Sequence, residues 1–69
     1  MSKLFAISTS DSFVVECIDK FEAEEFARDY CDAPFKVMEI TRNTAEPLDA
    51  LNYKISHIGA EDFMAQYCE

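Results

Sequence analysis

The segment beginning at Asp19 constrains this chain more than any other, because its spacing is helical and it separates two runs built for strands. Asp19 stands three residues before Glu22, the spacing of a capping box with Asp in the Ser/Thr role, and Glu22-Ala23-Glu24-Glu25-Phe26-Ala27-Arg28-Asp29-Tyr30-Cys31 continues it with helix formers. At 100° per residue, Ala23, Phe26, Ala27, Tyr30 and Cys31 share one face, which is expected to cover a sheet. Ala33-Pro34 ends the helix, since the residue before a proline is pushed out of helical backbone.

Residues 3–8 and 13–18 (Phe-Val-Val-Glu-Cys-Ile in the second) are rich in apolar, β-branched and aromatic side chains and read as strands, with Glu16 turned to solvent. The Ser/Thr/Asp cluster between them contains no glycine, so the hairpin it closes is longer than a two-residue turn. Residues 35–42 form a third candidate strand. After a helical crossover it runs parallel to the second strand and pairs antiparallel with the first, in the order 2-1-3. The expected architecture is therefore α+β: a small antiparallel-rich three-stranded sheet (ββαβ) with one face covered by two or three helices.

The rest of the chain supplies those further helices. Residues 43–47 form a loop with Thr44 as the helix cap. Leu48, Leu51, Ile55 and Ile58 recur at three- and four-residue steps, which favours a helix; Tyr53 and Ile55 alternating with Lys54 and Ser56 leave a strand over 53–58 as the alternative. Gly59, the single glycine, marks a break. Beyond it Ala60, Phe63, Met64 and Tyr67 share one side of a short last helix, with Glu61 and Asp62 in its first turn.

Length limits what such elements can enclose. The 69 residues make one domain, 1–69, and a 7.9 kDa chain buries only about 60% of the surface exposed when unfolded, so the core is thin. Fourteen Asp and Glu against six Lys and Arg give a formal charge of -8. Phosphates and anionic lipid headgroups repel such a chain, which argues against direct nucleic-acid binding and against membranes. No apolar run approaches the roughly 18 residues of a membrane span, and Leu4-Phe5-Ala6-Ile7 is too short for a signal peptide, so a cytoplasmic location is expected.

Catalytic and metal-binding constellations are sparse. Cys17, Cys31 and Cys68 are odd in number and widely spaced, which predicts reduced thiols: Cys17 and Cys31 as small core residues, Cys68 at a frayed end. With no CxxC and one histidine, His57, the chain offers no zinc ligand set; with one glycine it offers no phosphate loop. Nucleophilic catalysis would depend on His57, placed on the polar side of the second helix and away from the cysteines. No metal, no cofactor and no enzymatic activity are expected.

What remains is the outer face of the first helix. Glu22, Glu25, Asp29 and Asp32 fall at i, i+3, i+7 and i+10, with Glu24 and Arg28 alongside and Phe21 at the edge. The stripe is about 15 Å long with steps of about 4.5 to 6 Å, close to the phosphate spacing along a nucleic-acid strand. A plain solvated face is the competing explanation, with Glu24 and Glu25 pairing with Arg28 and Phe21 tucked beneath the hairpin. Recurrent like charges cost helix stability, which counts toward a functional face without displacing the plain one. In size, acidity and lack of catalytic constellations the chain resembles the small inhibitors that bacteriophages make against host enzymes, including nucleic-acid mimics and anti-CRISPR proteins. The expected function is a non-catalytic protein-binding module that inhibits or modulates a basic, nucleic-acid-handling partner through Glu22, Glu24, Glu25, Asp29, Asp32 and Phe21. The alternative is a structural or assembly component that forms a homo-oligomer through Phe63, Met64 and Tyr67.

Overall fold

The computed structural model describes residues 2–30, 34–42 and 45–68. Along the chain run β1 (Lys3–Ser8), β2 (Phe13–Cys17), α1 (Lys20–Tyr30), β3 (Lys36–Glu39), α2 (Leu48–Ile58) and α3 (Ala60–Tyr67). The strands form an antiparallel sheet in the order β2-β1-β3, the α+β arrangement and strand order expected. In the central strand Phe5 lies opposite Val15 and Glu39, and Ile7 lies opposite Phe13 and Val37.

The sheet is covered on both faces, not on one. Phe5 and Ile7 pack with Cys17, Val37 and the α1 residues Ala23 and Ala27. Ala6 and Val14 face the other way, against Leu51 and Ile55 of α2 and Phe63 and Met64 of α3. Successive strand residues point to opposite faces, so a central strand with Phe5, Ala6 and Ile7 all at 0–1% exposure needs a covering layer on each side. The thin core is thus two half-cores divided by the sheet.

Each helix reflects its local sequence. The Asp19 carboxylate accepts the Glu22 amide at 2.8 Å, as the capping spacing predicts, and the Asp19 carbonyl accepts the Ala23 amide at 3.2 Å. Residues 53–58 are helical, settling the strand alternative, and Leu51 and Ile55 carry α2's contribution to the core. Pro47 occupies the position before α2, its lack of an N–H costing nothing there; the expected Thr44 cap and the expected burial of Cys31 lie outside the described residues. Gly59 has φ +94°, a backbone region costly for side-chain-bearing residues, and lets α2 pass directly into α3.

Three other expectations are corrected. β2 ends at Cys17, leaving Ile18 64% exposed, and β3 spans Lys36–Glu39, followed by Ile40, which donates its amide to the Leu4 carbonyl at 2.9 Å and bridges to Cys68. Cys68 is therefore not frayed: that bridge, together with Tyr67 accepting the Thr41 amide at 3.1 Å, holds it at 6% exposure. Phe63 and Met64, proposed above as a self-association surface, are 0% and 7% exposed and Tyr67 is half-buried, since this side of α3 meets the sheet and α2.

Two buried thiols, Cys17 and Cys68, and one lysine make the fold sensitive to alkali. Burial pushes the Cys17 thiol up, with the Glu22, Asp19 and Glu16 carboxylates adding to it, and burial alone pushes Cys68 up. Lys54 is raised by its hydrogen bond to Glu46 at 2.5 Å and then by that to the Tyr67 hydroxyl at 3.3 Å. In each case the folded chain keeps a proton that the unfolded chain has begun to lose, so stability falls as pH rises. Urea unfolding midpoints should hold steady up to the ordinary thiol value of 9.0 and decline above it, with Lys54 adding to the decline past 10.5.

Candidate protein-interaction surface

The local sequence of α1 decides which way its charges point. Ala23 and Ala27, one turn apart and both fully buried, let the helix axis approach the sheet closely. Opposite them, Glu22, Glu25 and Asp29 are exposed, within an arc of about 60° on the helical projection, and Glu24 is half-buried on one flank. Asp32, the last member of the expected stripe, lies outside the described residues. The structure therefore brings three of the four stripe carboxylates together on one solvent-facing surface.

These carboxylates lack the internal neutralisation that a plain solvated face would provide. Among the described residues the ion pairs are Lys3–Glu39 at 3.7 Å and Lys54–Glu46, both away from α1. Neither Glu24 nor Glu25 reaches ion-pair distance of Arg28, although the sequence spacing permits it. Phe21 is 64% exposed, so it is not tucked beneath the hairpin and lies open beside Glu25.

Two residues assigned to the core by periodicity are instead part of this surface. Phe26 is 43% exposed and Tyr30 68% exposed. The close approach set by Ala23 and Ala27 leaves no depth under the helix for rings on its flank, and they spread outward to the hairpin. There Phe13 meets Phe26 edge-on with centroids 6.1 Å apart and Tyr30 at 5.3 Å, while Phe26 and Tyr30 stack at 5.8 Å with an interplanar angle of 10°. The sequence signal that could have found them is size: of the described residues on the apolar face, only the two alanines fit against the sheet.

Elsewhere the chemistry-bearing residues are dispersed. His57 lies exposed on α2, stacked on Tyr53 at 3.8 Å, with Nδ1 2.9 Å from the Tyr53 carbonyl oxygen. Cys17 is buried under α1. A groove of about 430 Å³ between β3 and α3 is lined by Ser8, Lys36, Met38, Glu61, Met64 and Cys68, among other residues, so it joins neither the histidine nor the acidic stripe. Among the described residues no cluster of His, Cys, Asp or Glu is placed to hold a metal ion, and no helix is long and apolar enough to cross a membrane.

In comparisons with protein-family models, curated proteins and solved structures, nothing matches this chain.

Proposed function

We propose that this chain is a non-catalytic binding module that presents the outer face of α1 to a basic site, acting as an inhibitor or modulator of a partner that handles nucleic acid. The supporting observation is the set of exposed carboxylates of Glu22, Glu25 and Asp29, gathered on one helix face with no ion pair among the described residues. Their helical steps of about 4.5 to 6 Å resemble the charge spacing to which a phosphate-binding groove is matched. The groove's Lys and Arg would meet carboxylates where they otherwise meet phosphates. A formal charge of -8 adds long-range attraction that speeds encounter.

Such binding is strongly salt-dependent, because exposed charges are screened within about 10 Å at 0.1 M salt and about 3 Å at 1 M. Titration of the protein with an oligolysine or oligoarginine octapeptide should show affinity falling by at least about tenfold between about 50 mM and 500 mM salt. Replacing three exposed carboxylates by amides (Glu22→Gln, Glu25→Gln, Asp29→Asn) should weaken binding at low salt by about ten- to hundredfold, at about 0.5–1 kcal/mol per charge. Affinity indifferent to salt, or to the triple substitution, would overturn the proposal.

A further inference from the structure

We infer that the exposed Phe26–Tyr30 ridge, braced by Phe13, is a docking surface for arginine side chains, so that the basic partner engages α1 through guanidinium rather than ammonium groups. This rests on the binding function proposed above and names the chemistry of its partner. Three rings lie at the edge of the carboxylate stripe, and two of them keep 43% and 68% of their surface open to solvent. Their positions are held by mutual contact, so a docking group meets a formed platform.

Glu22, Phe26 and Tyr30 follow one another at i, i+4 and i+8 along a single ridge, and Asp29 stands three residues beyond Phe26 on the next. Side chains three and four apart on a helix are about 5–6 Å from each other at Cβ, so a group on the rings is within reach of carboxylates on two sides. A guanidinium can use both at once: it is planar and weakly hydrated, stacks on a ring face, and directs its N–H fork, within its own plane, to a carboxylate beside the ring. An ammonium pairs with the carboxylate but, being compact and strongly hydrated, gains less from the rings. Charge complementarity selects this occupant. A second copy of the chain would bring another -8 against the stripe, and an uncharged partner would strip water from the carboxylates without replacing it.

The test compares octaarginine with octalysine at low salt, by calorimetry. The wild-type protein should bind octaarginine about tenfold more tightly, and Phe26→Leu with Tyr30→Leu should reduce that ratio to about twofold while changing octalysine affinity by less than about twofold. Circular dichroism checks that the double variant is folded; should it unfold, Tyr30→Leu alone, at the more exposed ring, should still at least halve the ratio. Equal affinity of the wild type for the two peptides, or a preference that survives loss of the rings, overturns the guanidinium inference and leaves the acidic surface standing. Failure of both peptides to bind overturns the proposed function along with it.

Discussion

Phe63→Ala is expected to remove about 3–5 kcal/mol of folding stability. Phe63 is fully buried at the junction of α3, α2 and the sheet, and its ring stacks on Tyr67 with centroids 4.6 Å apart. Among the described residues the other buried members of the half-core around it are Ala6, Val14, Leu51, Ile55, Met64 and Cys68, with Leu4, Met38, Ile40, Ala60 and Tyr67 partly buried against them, and such a close-packed shell relaxes into a vacated volume only in part. A domain of this length has a total stability on the order of 3–10 kcal/mol. The substitution therefore removes at least about a third of the margin, and urea denaturation should show a midpoint lowered by at least about that fraction. Phe63→Leu, which keeps much of the volume, should remain folded. A Phe63→Ala loss below about 1 kcal/mol would mean that α3 is not integral to the core.

Asn52→Ala should cost about 1–3 kcal/mol through a different mechanism. β2 is an edge strand, and at Val14 its outward backbone groups are met by the Asn52 side chain of α2: Oδ1 accepts the Val14 amide at 2.7 Å and Nδ2 donates to the Val14 carbonyl at 3.2 Å. Asn52 thereby reproduces both hydrogen bonds that a further strand would make there, and Nδ2 also donates to the Leu48 carbonyl at 3.2 Å. Truncation leaves a polar pair unsatisfied beside the 3%-exposed Val14 and opens the sheet edge to pairing with another chain. Asn52→Asp separates the roles: it keeps an acceptor for the amide but sets a carboxylate oxygen against the Val14 carbonyl, and should be at least as damaging. Lower urea midpoints for both, with increased light scattering for Asn52→Ala, are the expected results; wild-type midpoints for both would dismiss the edge-capping role.

The two predictions also mark where the fold was legible in sequence and where it was not. Strand identity and order followed from the β-branched runs and the single helical crossover, because local pattern and connectivity were enough to specify them. The two-sided sheet was encoded as well, in the uninterrupted Phe5-Ala6-Ile7 run, but the expected hairpin with one solvated face did not use that signal. Asn52 gave only the hint that asparagine is a poor residue for a helix interior, and its partner lies 38 residues away. Cys68 could not be placed from local pattern because its burial depends on pairing with Ile40, at the far end of a separate segment.

The candidate surface was legible in part. The carboxylate stripe follows from helical arithmetic alone, and the cap at Asp19 set the phase correctly. Phe26 and Tyr30 were misplaced because angular position states which way a side chain leaves the helix, not how much room it finds. Phe21, whose position at the edge of the stripe allowed two environments, proves exposed.

The most direct test of the account is a comparison of two triple variants with the same charge. One carries Glu22→Gln, Glu25→Gln and Asp29→Asn on α1; the other carries Asp49→Asn, Glu61→Gln and Asp62→Asn in the exposed first turns of α2 and α3, and each changes the formal charge from -8 to -5. Binding of octaarginine at low salt should weaken by at least about tenfold in the first and by less than about threefold in the second. Equal losses would show that net charge alone attracts the cation and that α1 holds no particular site for it.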